Sequence, residues 1–267
     1  MEAELQQPTS AAETIAPAAT PRLGAGRAFA MLVLVFVAQA LSGIAMVIVA
    51  MIIAVIRDVN FEDKRQFARV MEPLNAPVLL LSVLVSAAVL YFLVRAWVPS
   101  WFTDRSATGF GPARLSSRRI VVAAVCGLAI GAAYCVLLNF VFAPPSPSQL
   151  GPLAQVANRP GMARATLAVV AVFFAPLFEE VFFRGLLFKG FAESWGYVSA
   201  GVIVTVLFVL THVFEFAHYW PAALAILTLA IATLIVRLKT GSVASAILLH
   251  AGYNLAVMVS IYLGKPA

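Results

Sequence analysis

Long, uninterrupted apolar runs constrain this chain more than any other feature of its sequence. They recur near positions 28–56, 76–98, 119–143, 163–191, 198–216, 221–238 and 242–263. An α-helix needs about 20 predominantly apolar residues to cross a bilayer, whereas transmembrane β-strands alternate apolar and polar residues over about ten positions. With 62% apolar and 11% charged residues, the composition excludes an ordinary soluble domain. The sequence therefore predicts an all-α, polytopic bundle of about seven transmembrane helices.

The segments around these runs suggest a division of the chain into three parts. Residues 1–26 have no apolar core and are rich in Ala, Pro and Thr, which predicts a disordered N-terminal tail. The first apolar run is too long for a cleaved secretory signal, so we expect it to remain as an anchor. Residues 27–150 are expected to form the N-terminal transmembrane helices, and residues 160–264 a second set.

Basic residues favour one orientation in the membrane. If the N-terminus is cytoplasmic, eleven Lys and Arg residues fall in inside segments and seven in outside segments, which is a modest bias of the expected sign. A sequence pI near 9.7 fits basic loops beside an anionic leaflet. No basic stripe is interleaved with aromatic residues, so no nucleic-acid partner is predicted.

Rare polar residues inside or beside the C-terminal spans are the candidates for function, because an ionised side chain there costs roughly 2.5 to 3.5 kcal/mol on insertion scales. They are Glu179, Glu180, Arg184, His212, Glu215, His250 and Asn254, with His218 at a loop. The aspartates lie in loops, which excludes an intramembrane aspartyl mechanism: Asp58, Asp63 and Asp104. The chain has no HExxH motif, and Cys126 and Cys135 are spaced as packing residues rather than as metal or redox pairs.

Helical spacing sorts these residues further, since residues four apart share a face and adjacent residues diverge by about 100°. Three pairs have this spacing: Glu180 with Arg184, Phe208 with His212, and His250 with Asn254. We expect Glu180 to pair with Arg184, which leaves Glu179 free to point elsewhere. A helix rises about 1.5 Å per residue. Counted from turns near Ser194 and Gly241, this rise places four side chains in one layer of the membrane: Glu179, His212, His250 and Asn254.

These residues form three ordered motifs: EExxxR at Glu179, Glu180 and Arg184, FxxxH at Phe208 and His212, and HxxxN at His250 and Asn254. Over about residues 160–260 the chain resembles the CAAX prenyl protease and bacteriocin-processing family of intramembrane proteases, whose type II CAAX endopeptidase is the best-known member. The first 150 residues match only as generic spans. The resemblance implies hydrolysis of a peptide bond in a membrane-embedded or lipidated substrate, by an integral protein of the bacterial plasma membrane.

The resemblance also implies a catalytic set: Glu179, Glu180, His212, His250 and Asn254. A glutamate and His212 would activate a water, and His250 with Asn254 would steady the oxyanion. Residue chemistry agrees, because peptide hydrolysis needs a base within about 3 Å of the water and donors aimed at the developing charge. Glu179 is the better base, since Arg184 is expected to engage Glu180. Arg184 and Phe208 are expected to give structural support.

The role of a metal stays open at this point. Two histidines and a carboxylate suffice for a catalytic zinc site, and the ligands would then be Glu179, His212 and His250. A water activated by Glu179 and His212 without any metal is the alternative.

Other interpretations of the same residues are more ordinary. A lone glutamate at a span end is usually interfacial, and a lone histidine in a span is usually an interhelical hydrogen-bonding residue. We interpret Glu215 and His218 as solvated loop residues. A proton-coupled transporter would also bury ionisable groups, although the halves of this chain show no repeat. A non-catalytic immunity or scaffold protein is a further alternative, which the intact polar set disfavours.

Overall fold

The computed structural model describes residues 23–60, 62–71, 74–102, 116–142, 145–158 and 161–263. Within these residues the regular structure is helical without β-strands, so the predicted all-α bundle is confirmed. The predicted tail falls mainly on residues 1–22, which lie outside the described residues, and the first helix already begins at Gly24. Asp104 also lies outside them, as do five of the basic residues used for the orientation: Arg22, Arg105, Arg114, Arg159 and Lys265.

The helices of the described part are α1 (Gly24–Ile56), α2 (Lys64–Met71), α3 (Asn75–Trp97), α4 (Ser117–Val141), α5 (Pro152–Ala157), α6 (Met162–Val169), α7 (Ala175–Glu180), α8 (Phe188–Thr211), α9 (Val213–Phe216), α10 (Pro221–Thr240) and α11 (Val243–Leu263). Two π-helical turns, Val170–Phe174 and Val181–Leu187, join α6, α7 and α8 into one continuous helical stretch. By length and composition, six stretches of the described chain are able to cross a membrane.

The longest stretch, Met162–Thr211, is broken at Gly196. This glycine has φ 81° and ψ 169°, a conformation that residues with a Cβ avoid. The break separates residues 162–195, which we call the glutamate helix, from a second limb of residues 197–211. Counting the two limbs separately gives seven helical legs, and the turn expected near Ser194 lies at Gly196.

Glycines allow α4 and α11 to pack with their backbones in contact. A Cβ on Gly127 would overlap the Leu249 carbonyl, and a Cβ on Gly252 would overlap the Ala124 carbonyl. Gly131, four residues after Gly127, lies similarly close to α11. Small residues at this spacing are typical of close helix pairs in membranes. The contact fixes α11, which carries His250, against its neighbour.

The start of α1 is fastened to the far end of the glutamate helix. The backbone N–H of Gly24 donates to Glu193 Oε2 at 3.0 Å, and that of Ala25 donates to Ser194 Oγ at 2.9 Å. These side chains satisfy N–H groups that the first turn of a helix otherwise leaves unpaired. The two bonds place α1 alongside the helix that carries Glu179.

Candidate active site

The glutamate helix is irregular on both sides of its adjacent carboxylates. A π-helical turn precedes α7 and another follows it, so that backbone hydrogen bonds shift there from i−4 to i−5. Such turns are frequent at functional sites. Glu179 and Glu180 are the last two residues of α7, and they contact different neighbours.

Glu180 lies at the centre of a buried polar cluster that joins three helices. Its Oε1 accepts a hydrogen bond from His250 Nδ1 of α11 at 2.8 Å. Its Oε2 lies 3.2 Å from Arg184 Nε, at an angle too poor for a hydrogen bond, so this contact is an ion pair. Arg184 Nη2 in turn donates to the Ala230 carbonyl of α10 at 3.0 Å. We call Glu180, Arg184 and His250 the buried triad.

Phe208 packs between the buried triad and His212. The guanidinium carbon of Arg184 lies 4.2 Å from the centroid of the Phe208 ring, within range of a cation–π interaction. The rings of Phe208 and His212 are 4.7 Å apart. Both members of the FxxxH motif are therefore in contact, and the supporting role of Phe208 stays a prediction.

Glu179 points towards the two histidines and not towards Arg184. Its Oε2 lies 3.9 Å from His212 Nε2 and 4.0 Å from His250 Nε2, which is too long for a direct hydrogen bond. This oxygen is buried and has no hydrogen-bond partner among the described residues. Polar separations of this length are commonly bridged by water. Three of the four side chains expected in one layer of the membrane thus lie together.

The hydrogen bond at Nδ1 of each imidazole determines whether Nε2, the nitrogen that faces Glu179, carries a proton in the neutral ring. His212 Nδ1 lies 2.8 Å from the Phe208 carbonyl, which can only accept, so Nδ1 carries a proton. His250 Nδ1 is likewise held by the Glu180 carboxylate. In their neutral forms both rings therefore direct an unprotonated Nε2 towards Glu179.

Asn254 contacts the glutamate helix earlier along its length. Its Nδ2 donates to the Ala171 carbonyl at 2.7 Å. In this π-helical turn the Ala175 N–H bonds to the Val170 carbonyl, and the same register would pair Ala171 with Pro176, which has no N–H. Asn254 therefore satisfies a carbonyl that Pro176 leaves unpaired. This bond gives Asn254 a structural role, and its oxyanion role stays a prediction.

A cavity of about 210 Å³ lies in front of Glu179 and His212. Its walls include Gln39 of α1 and Leu153 of α5. Gln39 belongs to none of the three motifs, although an amide inside a long apolar span is a recognisable signal. The N-terminal helices thus contribute a polar group to the site and do more than anchor the chain.

Glu215 fastens α5 to the edge of this cavity. Its carboxylate accepts the Leu153 backbone N–H, with distances of 3.2 and 3.3 Å to its two oxygens. Gly151 lies so close to Glu215 that a Cβ would collide with it. Burial raises the pKa of Glu215 above its ordinary value, and the hydrogen bond from Leu153 opposes that rise. Glu215 is therefore a half-buried contact residue and not the solvated loop residue expected, whereas His218 is exposed.

The donor atoms around Glu179 have the chemistry of a zinc site but not its spacing. Each histidine donates its other N–H to a carbonyl or carboxylate, as zinc ligands do. Two ligands of one tetrahedral zinc ion lie about 3.3 Å apart, given bonds of about 2.0 to 2.1 Å. The 3.9 and 4.0 Å separations exceed this. In the described part of the chain, no three His, Cys, Asp or Glu side chains are placed to hold one ion.

A known family model matches the C-terminal part of the chain. Residues 161–256 match the family model described as type II CAAX prenyl endopeptidase Rce1-like. The matched range contains the buried triad, Glu179, His212 and Asn254. No curated protein and no solved structure matches the chain significantly. Over residues 161–256 the chain is therefore similar to the Rce1-like family of type II CAAX prenyl endopeptidases, the family that its three motifs resemble.

Proposed function

We propose that this protein is an intramembrane endopeptidase in which Glu179 activates the water that cleaves the peptide bond. One observation carries the proposal: Glu179 Oε2 is buried without a hydrogen-bond partner among the described residues, yet faces two imidazole nitrogens. A general base needs a water within hydrogen-bond reach and a site from which bulk solvent is largely excluded. The cavity of about 210 Å³ in front of Glu179 has room for such a water.

The water is held by two acceptors in this proposal. One O–H donates to Glu179 Oε2 and the other to His212 Nε2, which leaves a lone pair of the water oxygen for the substrate carbonyl. Glu179 takes the proton as the oxygen attacks the carbonyl carbon and a tetrahedral oxyanion forms. Glu179 then returns the proton to the leaving nitrogen as the C–N bond breaks, which yields a carboxylic acid and an amine.

His250 and Asn254 are proposed to stabilise the oxyanion. His250 Nδ1 already donates to Glu180, so Nε2 donates to an oxyanion only when the ring is an imidazolium. The Asn254 amide has a second N–H besides the one directed at Ala171. Hydrogen-bond donors aimed at the charge that develops in the transition state lower the reaction barrier more than donors that bind the ground state.

We propose a membrane-embedded or lipidated peptide or protein as the substrate, and the bacterial plasma membrane as the location. The family description supports a lipidated chain. A second, almost wholly apolar cavity of about 340 Å³ lies between α3 and the glutamate helix. Phe178 lines both this cavity and the one in front of Glu179. An apolar anchor of the substrate therefore has a place next to the reacting bond.

Replacing Glu179 with Gln tests the proposal. Loss of a general base should lower turnover by roughly 100 to 10,000 fold, measured with purified protein and a library of lipidated and transmembrane peptides. Glu193→Gln is the matched control, because Glu193 lies on the same stretch and bonds only to the start of α1 in the described contacts. Full turnover in the Glu179 variant, or no cleavage of any peptide by the unaltered protein, would refute the proposal.

A further inference from the structure

A further cleft lies between α4 and α10, where Leu249 of α11 also lines it. Its volume is about 740 Å³, several times that of the cavity at Glu179. Both α4 and α10 pack on α11 but scarcely contact each other, so a furrow remains between them with Leu249 at its floor. Its walls are apolar, with Val122 and Ile130 on one side and Ile235 on the other.

The mouth of the furrow is positively charged. Arg118 and Arg119 line it from the first turn of α4, and Lys239 lines it from the last turn of α10. All three side chains are exposed, and none of the described residues that line the cleft is acidic. The N-terminal end of α4 adds the positive end of a helix dipole at the same place.

The length of the furrow matches one leaflet of a bilayer. From Arg118 to Ile130 a helix rises about 18 Å, and half of the hydrocarbon core is about 15 Å thick. A soluble anion would satisfy the charges but leave the apolar walls unused. A neutral lipid would fill the walls but leave three cations without a counter-charge.

We infer that this furrow binds an anionic phospholipid, with the phosphate at Arg118, Arg119 and Lys239 and an acyl chain along α4 and α10. Basic pockets between transmembrane helices commonly bind such headgroups. The site is separate from the peptidase chemistry, but it touches the same helix, because Leu249 directly precedes His250.

Lipid titration followed by native mass spectrometry tests this inference. The protein in a neutral detergent is titrated with phosphatidylglycerol, and with phosphatidylcholine of the same acyl chains. We expect phosphatidylglycerol to bind tightly and phosphatidylcholine weakly. In R118Q/R119Q/K239Q the affinity for phosphatidylglycerol should fall roughly a hundredfold, since each basic residue near the headgroup contributes roughly a factor of five.

A second triple variant tests whether lipid binding depends on the cations of the furrow or only on the net charge of the protein. R57Q/R65Q/R69Q removes three exposed cations from the C-terminal end of α1 and from α2. This variant should bind phosphatidylglycerol as the unaltered protein does. Val122→Trp keeps the cations but fills an exposed position in the furrow, and should also weaken binding. Equal affinities for the two lipids, or equal losses in the two triple variants, would overturn the inference.

The two native cysteines provide a second measurement that does not depend on a variant folding. Cys126 lines the furrow, whereas Cys135 lines a different cavity. Phosphatidylglycerol should slow the reaction of Cys126 with a membrane-permeant maleimide and leave that of Cys135 unchanged. Inorganic phosphate at the same concentration should protect neither. Protection by phosphate alone, or equal protection of both cysteines, contradicts a lipid in this furrow.

Discussion

Arg184 provides the only positive charge that is permanent in the buried triad, where Glu180 and Arg184 are both fully buried. Removing one partner of a buried pair leaves the other charge uncompensated, at a cost of about 3 to 5 kcal/mol. We therefore expect Arg184→Ala to lower thermal stability and activity together.

Arg164→Ala is the control for that variant. Arg164 lies near the start of the same helical stretch, where it donates to the Ile261 carbonyl and packs over Tyr262 without an acidic partner in the described contacts. Its removal should cost much less stability in the same thermal scan. A stable but inactive Arg184 variant would show that the guanidinium acts on the substrate and not through the fold.

Residue spacing predicted part of this chemistry. The interval from Glu180 to Arg184 is one helical turn, so their pairing follows from the sequence alone. The bond between Glu180 and His250 joins residues 70 positions apart, and no periodicity within one helix reports it. The position of Gln39 could not be predicted either, because only the packing of α1 shows which face of that helix lines the cavity.

At the scale of elements, the π-helical turn before Glu179 depends on Asn254. In Asn254→Ala the Ala171 carbonyl loses its donor, at a cost of about 1 to 3 kcal/mol. Pro176→Ala in that background supplies the missing backbone N–H, so the double variant should recover much of the lost thermal stability.

Activity in the same two variants separates the roles of Asn254. If Asn254 also donates to the oxyanion, turnover should fall about 100 to 1,000 fold and stay low in the double variant. Recovery of turnover together with stability would instead make Asn254 a positioning residue only. Pro176→Ala alone is the control, and kcat and KM for all three variants are the measurements.

The attachment of α5 by Glu215 should depend on pH. Because burial raises the pKa of Glu215 in the folded protein, the folded state binds more protons than the unfolded state between the ordinary value near 4.3 and the raised value. Stability contributed by this carboxyl is therefore present at low pH and is lost as the pH rises through the raised pKa.

Unfolding midpoints measured from pH 4 to pH 8 check this sign. Glu215→Gln should flatten that part of the profile and keep an acceptor for the Leu153 N–H, whereas Glu193→Gln should leave the profile unchanged. A Glu215 variant that shows the unaltered pH profile would assign the dependence to another group. The sequence did not predict this contact because Leu153 and Glu215 are 62 positions apart and lie in different helices.

For the whole molecule, the separations around Glu179 lead us to expect peptidase activity without a metal. Activity should persist after dialysis against EDTA and in the presence of 1,10-phenanthroline, because the donors are too far apart to share one zinc ion as arranged. Measurements of metal content accompany the activity assay. If chelation abolished the activity and only zinc restored it, this result would show that these side chains close around an ion.

The architecture was more predictable than the site. Continuous apolar runs indicated the helical legs, and the small residues at Gly196 and Gly241 lie where the chain turns. Counting from those turns brought Glu179, His212 and His250 together, since rise per residue is nearly constant along a helix. The count could not predict the bond from Asn254 to Ala171, because a π-helical register and a proline decide which atom Asn254 meets.

The buried triad has a consequence for how the chain is made. Helices enter the membrane from the N-terminus onward as synthesis proceeds, so Glu180 and Arg184 are inserted before the Ala230 carbonyl and His250 exist to receive them. Until α11 is complete, the nascent protein carries a polar cluster whose hydrogen bonds are unfilled. The buried triad therefore gains its full set of partners only after α11 has been synthesised, so its hydrogen bonds form late in biogenesis.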